Sequence, residues 1–182
     1  IKNKFNVIMT STKCLTGTDR VAQASKKISG KIFINVQGDE PLINPSDVKK
    51  IINAKKKFPN HVICGYTKIS SSENSHNRNI PKVVLNKENE LVYISRACIP
   101  STKNKYAKID YLKQVCVYAF NRSELNKFYK LKQKSVLEKI EDIEILRFFD
   151  LNIKIKMIRL NKNTIAVDEK KDIREVEKLL KK

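Results

Sequence analysis

The sequence predicts an α/β fold, with a mostly parallel central sheet flanked by helices and a β-hairpin inserted into it. Three observations carry this. A strand, a helix and a second strand follow one another between residues 31 and 69, an order that lays a crossover helix on a sheet face. Two short apolar runs then flank Asn86-Lys-Glu-Asn-Glu90, which is a hairpin pattern. Strand and helix patterns go on alternating to the end of the chain.

Each element has a local reason. Lys31-Ile-Phe-Ile-Asn-Val36 is a short β-branched run that stops at Gly38, as a buried strand ending in a loop does. Asn44-Pro-Ser-Asp47 offers an N-cap, a proline at the first helical position and an acid in the first turn. Val48, Ile51 and Ile52 continue at helical spacing until Phe58-Pro59, and a second strand follows over His61 to Ile69. Ser70 to Asn79 is polar and turn-rich, and Lys82 to Leu85 and Leu91 to Ile94 form the hairpin arms. Gln114 to Phe120 reads as another strand, and Ser123 to Leu131 as a short helix capped by Ser123. Val136 to Phe149 is the strongest amphipathic pattern, placing Leu137, Ile140, Ile143, Ile145 and Phe148 on an apolar face and its acids on the other. A strand at Ile153 to Ile158 and a helix from Asp172 to Leu180 close the chain.

The chain has 182 residues with 38 Lys+Arg against 19 Asp+Glu, a formal net charge of +19, and 41% hydrophobic residues. That is enough to bury the core of one domain spanning 1–182. The charge raises nucleic acid first, but only seven of the cations are Arg and the 31 Lys are scattered over nearly every segment. Arg is the side chain that makes forked contacts to phosphate and base edges, so a specific nucleic-acid partner is not expected. The longest apolar runs fall far short of the ~20 residues that span a bilayer, so membrane insertion is not expected either. The four cysteines (Cys14, Cys64, Cys98 and Cys116) show no CxxC spacing, and three lie in strand-like contexts. Reduced core thiols and a cytoplasmic location follow. His61 and His76, both in polar surroundings, give no support to a histidine zinc site.

The stretch richest in chemistry is Asn35-Val-Gln-Gly-Asp-Glu-Pro41, at the C-terminal end of a buried strand. Ligands bind at that edge of open α/β sheets. Asp39 beside Gly38 is placed either to hold a divalent metal near a phosphate or simply to cap a turn. Ile165-Ala-Val-Asp168 sets another acid at the end of an apolar stretch, where metal binding and an N-cap are both open. Thr16-Gly-Thr-Asp-Arg20 joins hydroxyls, a glycine and an arginine at a helix start, where an anion could be gripped.

Together these stretches resemble the 3-deoxy-manno-octulosonate (Kdo) cytidylyltransferases, or CMP-Kdo synthetases, which have a Rossmann-like nucleotide-sugar transferase fold. The matching segments are Thr16 to Arg20, Ile34 to Pro41, Pro81 to Leu85, Ile94-Ser-Arg-Ala-Cys-Ile-Pro100, Val117 to Ala119, Leu137 to Glu141 with Leu146-Arg147, and Val167-Asp168. They run in the family's order across nearly the whole chain. The Val-Gln-Gly-Asp-Glu-Pro and Ser-Arg-Ala-x-Ile-Pro motifs are the specific ones.

The resemblance implies transfer of CMP from CTP to the anomeric hydroxyl of an acidic eight-carbon 3-deoxy sugar, with release of pyrophosphate, for lipopolysaccharide or surface polysaccharide. It implies Mg²⁺ held by Asp39 and Asp168, with nucleotide contacts from Thr16, Gly17, Thr18, Gln37 and Gly38. It also implies sugar contacts from Arg96, Gln114, Tyr118 and Glu138, with Arg96 facing the sugar carboxylate as part of the catalytic set. A homodimer is implied as well, with the Pro81 to Pro100 hairpin region as its interface. Without the resemblance, Arg96 has a surface ion pair as its alternative reading, Tyr118 reads as core as readily as ligand, and Glu138 reads as a solvated acid. The family's N-terminal strand and phosphate-binding loop have no counterpart ahead of Ile1, so a chain of this length is expected to fold poorly and turn over little CTP. Gln114 stands where many members carry His, which leaves room for an 8-amino analogue or a nine-carbon ulosonic acid as substrate. From a different class, a basic nucleic-acid-binding module is the competing function.

Overall fold

A computed structural model describes residues 5–71, 73–104, 106–161, 165–167 and 169–180. Helix α1 (Gly17–Ser25) starts where Thr16 accepts a hydrogen bond from the Asp19 amide. Strand β1 (Phe33–Val36) leads into α2 (Pro45–Lys57), whose first turn is closed by the Asn44 side chain accepting from Ser46 N. Strand β2 (Val62–Lys68) follows, and then the β3 (Lys82–Leu85) and β4 (Leu91–Ser95) hairpin. Its turn places Asn89 at φ 56°, a left-handed conformation that asparagine tolerates. Strand β5 (Leu112–Phe120) and helix α3 (Arg122–Lys130) come next. The cap of α3 is Asn121 rather than Ser123: the Asn121 side chain and Glu124 form a reciprocal capping box. Short helices α4 (Val136–Glu141) and α5 (Arg147–Asp150) flank a 3₁₀ turn at Glu144–Leu146, and β6 (Ile155–Arg159) and α6 (Lys170–Leu180) complete the order.

The α/β architecture, the flanking helices and the hairpin are as the sequence predicts, but the sheet is mixed rather than mostly parallel. Its order is β4-β3-β5-β2-β6, with β1 also on β5. The β2–β6 pair is parallel, while β1–β5, β2–β5, β3–β5 and β3–β4 are antiparallel. The inference from strand–helix–strand order holds for direction, because β1 and β2 both run opposite to β5 and so run the same way. It fails for adjacency: β5 lies between them, and Tyr118 is the register partner of Asn35 on one side and Cys64 on the other.

Both faces of this sheet are covered, which is why β2 and the second half of β5 are buried almost without interruption. On one face Ile63, Val115, Val117 and Ala119 pack under Ile51 and Ala54 of α2, together with Leu160. On the other, Cys64, Tyr66, Tyr118 and Phe120 meet Ala22, Leu125, Phe128 and Phe148, and Phe120 stacks on Phe148 at 5.6 Å between centroids. Each fully buried aliphatic or aromatic side chain contributes about 1.5–3 kcal/mol. Gly65 sits where β2 bulges against β5, and a Cβ there would fall 2.5 Å from Leu160 Cδ1.

The long helix expected over Val136 to Phe149 is broken. Asp142 adopts the left-handed conformation (φ 49°, ψ 49°) and ends α4. The expected polarity holds at Ile143, Ile145 and Phe148, which are buried, and at Leu137, which packs against the core, but fails at Ile140, which is 74% exposed, and at Glu138, which is fully buried. A buried partner for that acid, Arg147, outweighs the apolar periodicity (Arg147 Nε to Glu138 Oε2, 2.7 Å). The four cysteines are free thiols: Cys64 is buried in the core and Cys116 packs against it, as expected of core thiols, while Cys14 and Cys98 are half-buried outside it. Among the described residues no helix is long and apolar enough to cross a membrane.

Candidate active site

A cleft of about 1650 Å³ opens where β1 ends, and Thr16, Gln37, Asp39, Arg96, Gln114 and Tyr118 all line it. Segments far apart in the chain are therefore brought together at the strand edge that the motif Asn35 to Pro41 marks. The loop after β1 is stapled to β5: Cys116 N donates to Glu40 Oε1 at 3.2 Å, and Gln37 N donates to the Cys116 carbonyl at 3.4 Å. Asp39 Oδ1 is buried without a hydrogen-bond partner, and Val167 N donates to the Asp39 carbonyl at 2.8 Å, which brings the C-terminal segment onto the same loop. Asp168, the second acid expected to hold metal, lies outside the described residues.

One wall is built around Glu144, which sequence reasoning did not single out. Its Oε1 accepts from Gln37 Nε2 at 2.9 Å and its Oε2 from Thr18 N at 2.8 Å. Burial pushes its carboxyl above the ordinary carboxylate range, against the opposing pull of the Thr16 and Thr18 hydrogen bonds. Thr18 itself is buried and meets Glu144 through both its amide and its side chain. Gly17 packs against Gln37, Glu144 and Asn35, and a Cβ there would meet the Gln37 amide at 3.5 Å. Gly38 has open space around it, and neither Gly17, Thr18 nor Gly38 lines the cleft.

The opposite wall holds Arg96. Its Nε donates to the Glu141 carbonyl (2.6 Å), one terminal nitrogen to the Arg78 carbonyl (2.9 Å) and the other to the Asp142 carbonyl (3.0 Å). Glu141 fixes the same stretch from its side chain, accepting from Ser95 Oγ at 2.6 Å and Arg96 N at 2.9 Å. These three guanidinium contacts are to carbonyls, so the positive charge is oriented while two of its five N–H groups remain for a ligand in the cleft. The ion-pair alternative for Arg96 has no counterpart among the described salt bridges.

On the floor, Gln114 Nε2 donates to Tyr118 Oη at 3.2 Å and approaches Cys64 Sγ at 3.7 Å. Tyr118 is both core and cleft lining: its ring packs in the main apolar cluster while the residue borders the cavity. Burial pushes the Cys64 thiol up to about 12 and raises Cys116 and Tyr118 well above their ordinary values. All three hold their protons near neutral pH, so the floor offers donors and acceptors rather than a thiolate or phenolate nucleophile.

Glu138 is the correction among the expected sugar contacts. It does not border the cleft: Oε1 accepts from Arg147 at 2.5 Å, and Oε2 accepts from Arg147 Nε at 2.7 Å and from Ser135 N at 3.0 Å. A carboxylate spent this way caps α4 and neutralises a buried guanidinium. Ser135 and Glu138 also form a reciprocal capping box at the start of α4.

A family model described as Cytidylyltransferase matches residues 2–157. The 3-deoxy-manno-octulosonate cytidylyltransferase of Acidobacterium capsulatum is 34% identical over 173 residues, covering 95% of this chain and 70% of the relative. That of Flavobacterium johnsoniae is 30% identical over 184 residues, covering 100% and 75%. A solved structure of CMP:2-keto-3-deoxy-manno-octonic acid synthetase complexed with CTP matches with a TM-score of 0.89 at 31% identity, covering 99% of this chain and 74% of that one. An inositol-1-phosphate CTP transferase from T. maritima, 20% identical with a TM-score of 0.61, covers 92% and 62% and shares the fold. With a family model over most of its length and curated relatives of one kind at 30% identity and above, the chain belongs to the 3-deoxy-manno-octulosonate cytidylyltransferase family of nucleotidyltransferases.

Proposed function

We propose that this enzyme transfers CMP from CTP to the anomeric hydroxyl of Kdo or a closely related ulosonic acid and releases pyrophosphate, in the synthesis of lipopolysaccharide or a surface polysaccharide. The carrying observation is a single cleft in which the strand-end residues Gln37 and Asp39 face Arg96, Gln114 and Tyr118. In this reaction the sugar hydroxyl oxygen bonds to the α-phosphorus, the bond to the β-phosphate oxygen breaks, and the hydroxyl proton leaves to solvent. Such transfers depend on positioning and charge stabilisation, so a floor without an ionised nucleophile suits the chemistry.

The chain's own groups divide the work. Thr16 and Gln37 hold the nucleotide, with Glu144 bracing Gln37 and the buried Thr18 behind them. Arg96, steadied by the 141 and 142 carbonyls, pairs with the sugar carboxylate, and Gln114 and Tyr118 bond sugar hydroxyls. Asp39 and Asp168 would hold Mg²⁺. The fit is supported on the Asp39 side by a buried carboxylate oxygen left without a partner, a hard anionic donor of the kind Mg²⁺ takes. When bound, the ion screens phosphate charge and lowers the cost of an ionised attacking oxygen.

Gln114 favours a second substrate. Its neutral amide, already turned toward Tyr118, cannot present a charge to the sugar, so an 8-amino or nine-carbon ulosonic acid competes with Kdo for the assignment. Pyrophosphate release from CTP measured with Mg²⁺ over a panel of these acids tests both readings. Turnover of Kdo above the others is expected, and preference for a nine-carbon acid overturns the Kdo assignment.

A further inference from the structure

Behind the cleft wall lies a group of three buried charges that the reaction itself does not use. Arg147 is fully buried, as is Glu138, and Asp19 is 4% exposed. The guanidinium spans both acids: one terminal nitrogen donates to Asp19 Oδ1 at 3.0 Å, while the other donates to Asp19 Oδ2 at 3.3 Å and Glu138 Oε1 at 2.5 Å. Its flat face rests 3.9 Å from the centre of the Phe128 ring. Removing three charges from water is costly, and apolar residues of similar volume would often serve stability as well. A polar network retained in the core therefore invites a role in placing something specific.

What it places is Thr16. Asp19 Oδ2 accepts the Thr16 hydroxyl at 2.9 Å, and the same hydroxyl oxygen accepts from Asp19 N at 3.3 Å as the cap of α1. Thr16 also lies beside the Glu144 carboxyl and borders the cleft. Its single proton is held between two acids of the protein, Asp19 at 2.9 Å and Glu144, so what it offers a ligand in the cleft is a lone pair. A ligand hydroxyl can donate to that oxygen, whereas a carbonyl or phosphate oxygen cannot be held by it.

We propose that Arg147 is a positioning residue for nucleotide binding. By locking Asp19 in a forked pair it fixes Thr16 as an acceptor for a hydroxyl of CTP. The proposal rests on the reading that the Thr16 loop holds the nucleotide. It assigns Arg147, 131 residues further along the chain and outside the cleft, an effect on affinity for one substrate that a scaffold role does not produce.

The test compares T16V, R147K and the double variant by calorimetric CTP binding and by the KM for CTP, the KM for the sugar and kcat. R147K keeps the charge and loses the fork. D19N, which keeps the shape of Asp19 but lets an amide face Thr16, serves as the second route should R147K fail to fold. Circular dichroism and melting temperature report folding for each. We expect T16V and R147K each to weaken CTP binding about five- to tenfold, with the sugar KM and kcat within about twofold of wild type. The double variant should be no worse than T16V alone, because both changes remove one contact. R147K and D19N binding CTP as wild type does, or losses in the double that multiply, overturn the proposal. Wild-type binding of CTP with T16V unaffected overturns the nucleotide reading of the loop and the proposal with it. T16V weakened while R147K and D19N are not overturns the proposal alone.

Discussion

Gln37 Nε2 and Glu144 Oε1, 107 residues apart, meet at 2.9 Å on the wall of the cleft. The contact joins the loop after β1 to the 3₁₀ turn after α4, and Glu144 extends it to α1 through Thr18 N. One buried carboxylate therefore ties together three segments that have no sequence neighbourhood in common.

That carboxylate should be visible in the pH dependence of stability. Its folded-state pKa is raised above the ordinary value of 4.5, chiefly by burial. The folded state then binds the proton more tightly than the unfolded one, so this group's contribution to stability falls as pH rises from about 4.5 to the folded pKa and is constant above it. In E144Q that contribution is removed. Melting temperature followed between pH 4 and 8 should therefore decline less, or rise more, with pH in E144Q than in wild type. Parallel curves would show that Glu144 titrates normally.

Asp39 separates activity from stability. Because its Oδ1 has no hydrogen-bond partner, D39N breaks no bond made by that oxygen. D39N is expected to lose on the order of 100-fold or more in CMP transfer, the scale of losing several kcal/mol of charge stabilisation. Its melting temperature should stay within about 2 °C of wild type, a change of under about 1 kcal/mol for a domain of this size. A variant with full turnover would remove Asp39 from the reaction.

Gly65 tests the packing under the floor. A methyl group at this position would meet Leu160 Cδ1 at 2.5 Å and Val117 Cγ1 at 2.9 Å. The G65A variant is expected to be destabilised by about 1–3 kcal/mol, as an overpacked core is. Denaturant unfolding reads this directly, and an unchanged midpoint would mean that Leu160 yields freely.

Lys55 and Glu124 form a further buried ion pair. Lys55 Nζ lies 2.7 Å from both Glu124 oxygens and also donates to the Pro59 and His61 carbonyls at 3.1 and 2.6 Å. Burial lowers the lysine's pKa while Glu124 opposes the shift. K55M should cost about 3–5 kcal/mol, because it leaves an acid and two carbonyls without their shared donor. In the double variant K55M/E124L the loss should be smaller than the sum of the two single losses. Additive losses in urea unfolding would show that the two groups do not interact.

Local chemistry determined much of this protein. The β-branched runs, the Asn44-Pro-Ser-Asp47 helix start and the hairpin around Asn89 depend on neighbours a few residues away, so their signals survive in the sequence. The Asn35 to Pro41 motif likewise marked the strand edge at which the cleft opens, and family resemblance named Thr16, Gln37, Asp39, Arg96, Gln114 and Tyr118, all of which border it. Tertiary structure decided the rest. Strand order depends on which chains exchange backbone hydrogen bonds, and no local pattern told that β5 would insert between β1 and β2. The roles of the acids after Ser135 depend on what they face. Glu138 turns inward to Arg147, Glu141 steadies Arg96, Asp142 ends a helix and Glu144 braces Gln37. In sequence these four are alike, each an acid on one helical pattern. Only burial against a specific cation, amide or backbone turn makes them different, since the cost of desolvating a charge is met by partners that folding alone brings within reach.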